Sequence, residues 1–267
     1  MVCSSDNIQL ADGATLHVQV DTGPAGAPWL VLSNSVLTNF GIWDHQTAAL
    51  AERFSVLRYD QRGHGQSSIS VGPMTFEDYG ADVLALLDHL DIARCVYVGL
   101  SMGVPTGLAA MSSAPGRFQA FVAVDGVAKS APGREAFWSE KRETARQHGL
   151  GDLGLDTAYR WLPGESAASE NVSLLARMVA ATPVEGFAAA THALQSYDCS
   201  AVTSSIACPF LAISGSDDGV MPDAMRRQFS DIKNARFEVI ESAGHVPNFQ
   251  RPQAFNKVLL AFLEALT

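Results

Sequence analysis

The sequence predicts an α/β protein: a mostly parallel central sheet flanked by helices, carrying one helical cap insertion. Three observations lead there. Short, continuously apolar runs recur along the chain, as strands covered on both faces require. Helix-like segments separate these runs, and that alternation means parallel strands joined by right-handed crossovers. One run leads through Gly99-Leu100-Ser101-Met102-Gly103 directly into the small-residue segment Thr106 to Ala110, which reads as helix. A chain of 267 residues, 47% hydrophobic and 17% charged, is large enough for one such domain with an insertion and excludes disorder.

The elements follow in order. Asn7 to Leu10 and Thr15 to Val20 alternate apolar and polar residues around Asp12-Gly13, the pattern of an antiparallel hairpin with one wet face. Trp29 to Leu32 is continuously apolar and reads as the first buried strand. Asp44 to Arg53 reads as a helix, Phe54 to Tyr59 as the next buried strand, and Asp60 to Ser67 as a glycine-rich turn. Within that turn Arg62 and His64 are expected to brace the backbone. Thr75 to Leu90 is an amphipathic helix: Thr75 caps it with Asp78 three residues on, and Val83, Leu84, Leu86, Leu87 and Leu90 form its apolar face. Strands at Cys95–Val98 and Phe118–Val124 flank the Ser101 turn and its helix.

The rhythm breaks near residue 129. From there to residue 200 the chain is helix-like but punctuated by glycine and proline, and it contains Phe137, Trp138, Trp161 and Phe187. The expected organisation is a core of residues 1–128 and 201–267, with 129–200 inserted as a helical cap. Beyond it come a strand at Pro209–Ser214, a helix near Pro222 to Ser230, a strand at Arg236–Ile240 and a closing helix from Pro252 to Leu266.

Charge and cysteine usage narrow the function classes. The net charge is −10, with no run of Lys or Arg, which argues against nucleic acid and anionic membrane surfaces as partners. The four cysteines lack metal-ligand spacing, so no metal is expected. The first residues show neither a cationic start nor an apolar stretch, and no apolar run approaches a membrane span. The expected setting is the reduced cytoplasm. Homo-oligomer formation stays open.

The chemistry gathers at strand ends. A G-x-S-x-G turn between strand and helix exposes its serine and aims the helix N-terminus at whatever the serine attacks. Ser101 needs a base, and the base needs an orienting group. In this arrangement the partners follow in the order serine, acid, histidine. Gly215-Ser216-Asp217-Asp218-Gly219 follows one strand, and Ala243-Gly244-His245 follows the last. His245 is the expected base. Asp218 is the expected acid by motif position, with Asp217 as the alternative. An oxyanion hole would combine the Met102 N–H with one from the loop Ser33 to Leu37.

Several stretches together carry a resemblance: Val31-Leu32-Ser33-Asn34-Ser35 with Trp43 following, Leu57 to Gly65, Gly99 to Gly103 with Thr106-Gly107, and Arg160-Trp161. They resemble the α/β-hydrolase superfamily across essentially the whole chain, and within it most the 3-oxoadipate enol-lactonases. Val104-Pro105, and Val36-Leu37 where that family usually shows Leu-Gly, are departures. Many relatives carry His-Gly at the positions of Asn34-Ser35, which implies Val36 N–H as the second oxyanion donor. The resemblance implies a small-molecule ester or lactone substrate, here a carboxylate-bearing enol-lactone opened through an acyl-enzyme, with no cofactor. Arg160 would bind the substrate carboxylate, and Trp161 and Trp138 would wall the pocket. Carboxylesterase, perhydrolase and carbon–carbon bond hydrolase chemistries share the same serine turn, and a ligand receptor on the same fold is a further alternative.

Overall fold

A computed structural model describes residues 2–70 and 72–266. Its eight strands are β1 (Val2–Gln9), β2 (Thr15–Thr22), β3 (Trp29–Ser33), β4 (Ser55–Tyr59), β5 (Cys95–Leu100), β6 (Phe118–Val124), β7 (Phe210–Gly215) and β8 (Arg236–Ile240). They form one sheet in the order β1-β2-β4-β3-β5-β6-β7-β8. The β1–β2 and β2–β4 pairs are antiparallel and all the others parallel. The fold is thus an α/β sheet, mostly parallel and flanked by helices.

The helices are α1 (Asp44–Ala51), α2 (Phe76–His89), α3 (Gly103–Ser113), α4 (Arg134–His148), α5 (Gly151–Trp161), α6 (Glu170–Ala181), α7 (Val184–Gln195), α8 (Ser200–Thr203), α9 (Met221–Gln228), α10 (Pro247–Gln250) and α11 (Pro252–Glu264). The apolar strands serve both faces of the sheet. Leu30 and Leu32 of β3 pack into one hydrophobic cluster while Val31 packs into the other. Tyr97, Phe121 and Phe210 stack across β5, β6 and β7, with ring centroids 5.3 and 5.6 Å apart. Pairs of this kind add about 0.5–1.5 kcal/mol each beyond their burial.

Local chemistry explains the element ends. Asp78 N–H donates to Thr75 Oγ1 at 3.2 Å, and Thr75 N–H donates to Asp78 Oδ2 at 2.8 Å, a reciprocal cap at the start of α2. On that helix Val83, Leu86 and Leu87 are buried, whereas Leu84 and Leu90 are only half-buried. The first strand begins at Val2, earlier than the alternation at Asn7 to Leu10 indicates. Its side chains from Cys3 to Asn7 are exposed, so it is held by its eight-residue ladder with β2 rather than by an apolar face. The short helix α10 precedes the closing helix and carries no sequence period of its own.

Helices α4 to α7 lie between β6 and β7, with α4 packed on α7 and α5 on α6. Their apolar residues, among them Leu175, Val179 and Phe187, join the cluster on one face of the sheet. No single helix among the described residues is long and apolar enough to cross a membrane. The α6–α7 pair reaches that apolar length only together, across a 93° bend. Helix α7 meets the core at a glycine-on-glycine contact: a Cβ on Gly186 would sit 1.9 Å from the Gly63 carbonyl oxygen. A second seam lies at Gly244, where a Cβ would come within 2.5 Å of the Trp161 carbonyl oxygen. The loops that follow β3, β5, β6, β7 and β8 share the carboxyl edge of the sheet. Strand order reverses between β3 and β5, the position where open α/β sheets leave a crevice for ligands.

Candidate active site

The turn after β5 compresses the backbone around Ser101. Its φ is 52°, a left-handed conformation that side chains disfavour by about 1–2 kcal/mol. The cost is sustained by close packing: the Ser101 N–H donates to Val124 O at 2.7 Å. A Cβ at Gly99 would sit 2.4 Å from the Gly103 carbonyl, and one at Gly103 would sit 2.6 Å from the Ser33 carbonyl. Glycine on both sides of the serine is therefore obligatory.

Ser101 Oγ lies 2.8 Å from His245 Nε2, and His245 Nδ1 lies 2.7 Å from Asp218 Oδ2. The carboxylate can only accept, so Nδ1–H donates to it and Nε2 is left to accept from the serine hydroxyl. The imidazole and carboxylate are largely shielded, with side-chain exposures of 13% and 20%. Three contacts hold the loops that present them. Asp217 N–H donates to Ala243 O at 2.8 Å. Gly244 N–H donates to Gln250 Oε1 at 2.8 Å, and Gln250 Nε2 donates to Pro163 O at 2.8 Å. The Trp161 ring lies 4.9 Å from that of His245. Asp217, the alternative acid, is exposed and its carboxylate accepts from Ser216 Oγ at 2.8 Å, away from His245.

The loop after β3 is braced from below. Gln61 Nε2 donates to Asn34 O, and Gln61 Oε1 accepts from Thr106 Oγ1 at 2.9 Å. Gln61 thereby ties this loop to the first turn of α3. Asn34 Nδ2 donates to Thr38 O at 2.8 Å, closing the loop on itself. Val36 and Met102 both line the cavity above Ser101. Among the described residues, neither of their N–H groups donates to a protein acceptor. In the neighbouring turn Arg62 is bound by Asp82 through Nε and Nη2, and by Asp12 through Nη1. His64 is fully buried there, its Nδ1 3.2 Å from Arg62 O, and burial pushes its pKa down to about 4.

Ser101 and His245 open into a cavity of about 520 Å³ between the sheet edge and helices α4, α5 and α7, a volume suited to a small ligand. Trp138, Trp161 and Arg160 all line it. Trp161 is buried, Trp138 half-buried and Arg160 exposed. The cavity is more cationic than a chain of net charge −10 suggests, because Lys129, Arg134 and Lys141 line it as well. Lys129 is paired with Asp198 at 2.6 Å. Arg134, Lys141 and Arg160 form no ion pair among the described residues. The Arg134 guanidinium lies over the rings of Phe137 and Trp138, 4.2 and 4.9 Å from their centroids. Burial, and secondarily Arg160 nearby, push its pKa down.

Sequence reasoning missed Arg134, Lys141 and Asp125. The first had a faint signal: an arginine three and four residues ahead of Phe137 and Trp138 shares a helix face with them. Asp125 had none, since an aspartate after a strand reads as a turn residue. It lines the cavity with its carboxyl fully buried, 3.1 Å from Gly215 N. No group of three or more His, Cys, Asp or Glu among the described residues could hold a metal ion.

A family model described as the alpha/beta hydrolase fold matches residues 28–252. The chain is 36% identical over 245 residues to 3-oxoadipate enol-lactonase 2 of Acinetobacter baylyi, covering 91% of each protein. Among solved structures it is similar to the enol-lactonase from Burkholderia xenovorans LB400, with a TM-score of 0.90 and 34% identity over 97% of this chain and all of that one. It is also similar to a thermophilic esterase from Thermogutta terrifontis solved with malate bound, with a TM-score of 0.90, 25% identity, and 98% and 99% of the two chains covered.

Proposed function

The chain belongs to the α/β-hydrolase family, and from there we propose that it opens a small carboxylate-bearing enol-lactone, 3-oxoadipate enol-lactone first among candidates. Ser101 is the nucleophile in this reading, His245 the base and Asp218 the orienting acid. One observation carries the substrate class: the Arg134 guanidinium, without a carboxylate partner among the described residues, lines the same cavity as Ser101. A cation held on aromatic faces beside the nucleophile, in an acidic chain, favours an anionic substrate. The relatives named for enol-lactonase activity, and the esterase solved with malate bound, support small carboxylates as the class to test.

His245 Nε2 takes the Ser101 proton as Oγ attacks the lactone carbonyl carbon. The oxyanion is received by the N–H groups of Val36 and Met102. Collapse breaks the ring C–O bond and releases the enol oxygen, which takes the proton back from His245. The enol then tautomerises to the ketone, still tethered as an acyl ester on Ser101. Water, giving a proton to His245, attacks the acyl carbon, and Ser101 leaves with that proton as the dicarboxylate departs. Residues 129–200 form a cap that supplies the cations and the aromatic walls.

The test is steady-state turnover of 3-oxoadipate enol-lactone and p-nitrophenyl acetate, with Ser101→Ala as blank. The expected outcome is a saturable preference for the enol-lactone, reduced by about 10⁴-fold or more in the variant. Rapid acetate hydrolysis with an inert enol-lactone would discard the substrate. Undiminished turnover by folded Ser101→Ala would discard the nucleophile.

A further inference from the structure

Gln250 closes the short helix that follows His245, and it is only 3% exposed. That helix is a fixed post. Asn248 Nδ2 donates to Ile42 O at 2.8 Å, and Gln46 Nε2 on α1 donates to Asn248 O at 2.9 Å. From this post the Gln250 amide reaches in two directions at once. Its Oε1 accepts from the N–H of Gly244, the residue before the base, and its Nε2 donates to the carbonyl of Pro163, just past Trp161. Gln250 itself stands outside the cavity wall, so whatever it does for the reaction it does through these neighbours.

The two segments it joins already touch. A Cβ on Gly244 would sit 2.3 Å from Pro163 Cδ and 2.5 Å from Trp161 O. The Trp161 ring lies 4.9 Å from the His245 imidazole and also lines the cavity. Close packing of this kind stops two segments from approaching further, but it resists their parting only weakly. Hydrogen bonds supply the opposite restraint, and a buried amide with both bonds made is costly to pull away because each broken bond strands a polar group. Arg251 Nη1, 2.8 Å from Glu165 Oε1, spans the same two segments. That pair is partly exposed, contributes little, and does not reach the residue before the base.

We propose that Gln250 is a positioning residue: its amide clamps the His245 loop to the cap wall at Trp161, and so fixes where His245 Nε2 stands relative to Ser101. The clamp presupposes Ser101 and His245 as nucleophile and base but no particular substrate, so p-nitrophenyl acetate serves as its probe.

The experiment measures kcat and KM for p-nitrophenyl acetate in the parent, Gln250→Met, Gln250→Glu and Arg251→Gln, in mildly alkaline buffer with Ser101→Ala as blank. Each rate is divided by the number of working sites. These are counted from the p-nitrophenol released when p-nitrophenyl diethyl phosphate phosphorylates Ser101 to completion. Methionine fills the same space and makes neither bond. Glutamate, once ionised, accepts from Gly244 N–H but cannot donate to Pro163 O. Both should lower kcat per site by about 10- to 100-fold, the scale of a reacting group misplaced by about an ångström. KM should stay within about threefold, because the base serves acylation and deacylation alike. Arg251→Gln should keep the parent's kcat per site. A folded Gln250→Met with the parent's kcat per site, or a loss confined to the number of sites, overturns the proposal. A Gln250→Glu variant at the parent's rate would show that the bond to Gly244 suffices without the cap, and overturns it too. So does an Arg251→Gln loss equal to that of Gln250→Met. If methionine prevents folding, the glutamate variant decides. A parent that is not phosphorylated, or activity retained in Ser101→Ala, would instead remove the nucleophile, a failure readily told apart.

Discussion

Replacing Arg134 by methionine keeps an unbranched apolar stem beside Phe137 and Trp138 and removes the guanidinium, with its charge, that lies over their rings. A guanidinium and a carboxylate about 4 Å apart attract by about 4 kcal/mol at an effective dielectric of 20. Part of that is offset by desolvating the substrate and part is retained by Arg160 and Lys141, which line the same cavity. The net worth of a charge-assisted hydrogen bond, about 1.5–3 kcal/mol, is the better guide. At about 1.4 kcal/mol per decade, that corresponds to a loss of roughly 10- to 100-fold in kcat/KM. The loss should fall on the carboxylate-bearing enol-lactone and spare p-nitrophenyl acetate, which has no charge to hold. It should also shrink at high salt, where the parent's advantage is screened. Equal losses on both substrates would make Arg134 a packing residue of α4. No loss on either would move the carboxylate to Arg160 or Lys141.

The acid of the relay can be tested by paired substitutions. Asp218→Asn should lower kcat by about 10³–10⁴-fold, the scale seen when a triad carboxylate is neutralised. Asp217→Asn, altering an exposed side chain bonded to Ser216, should stay near the parent's rate, and the reverse pattern would transfer the role. Stability should carry its own pH signature through His64, whose folded-state pKa is about 4 against an ordinary 6.5. Between those values the unfolded chain binds the proton and the folded chain does not, so stability falls as pH drops from about 6.5 to about 4. The loss amounts to roughly 3 kcal/mol. Urea melts at pH 7, 5.5 and 4.5 should show it, and His64→Asn should flatten the dependence; parallel slopes in parent and variant would assign it elsewhere.

What could be read from the sequence follows from where the physical signals are local. Apolar runs such as Trp29 to Leu32 and Phe118 to Val124 announce strands because both faces must be covered, and the parallel order follows from the helices between them. Ser101, Asp218 and His245 could be read as neighbours because each follows a strand, and parallel strands deliver their ends to one edge. Arg134 and Lys141 were hidden because helix α4 carries many charges and only tertiary packing decides which of them turn inward. Asp125 was hidden for a different reason. The Gly215 N–H that its carboxyl accepts is 90 residues further along the chain, and nothing in its own surroundings marks it as buried. The first strand was underestimated because its ladder with β2 is a backbone property, to which polar side chains contribute no periodic signal.

The two glycine seams divide the inserted helices by how freely they can change. Helix α7 and the end of α5 are fastened backbone to backbone at Gly63 and Gly244, where even one added methyl group has no room. Helix α4, which presents Arg134 and Lys141 to the cavity, is carried on α7 and, among the described residues, has no such fastening of its own to the core. Variation in ligand preference can therefore accumulate on α4 while the fastened parts preserve the spacing between the cavity roof and Ser101. An engineer seeking a different ligand preference would redraw α4 and leave both seams untouched. The molecule separates the part that can be rewritten from the part that holds the frame.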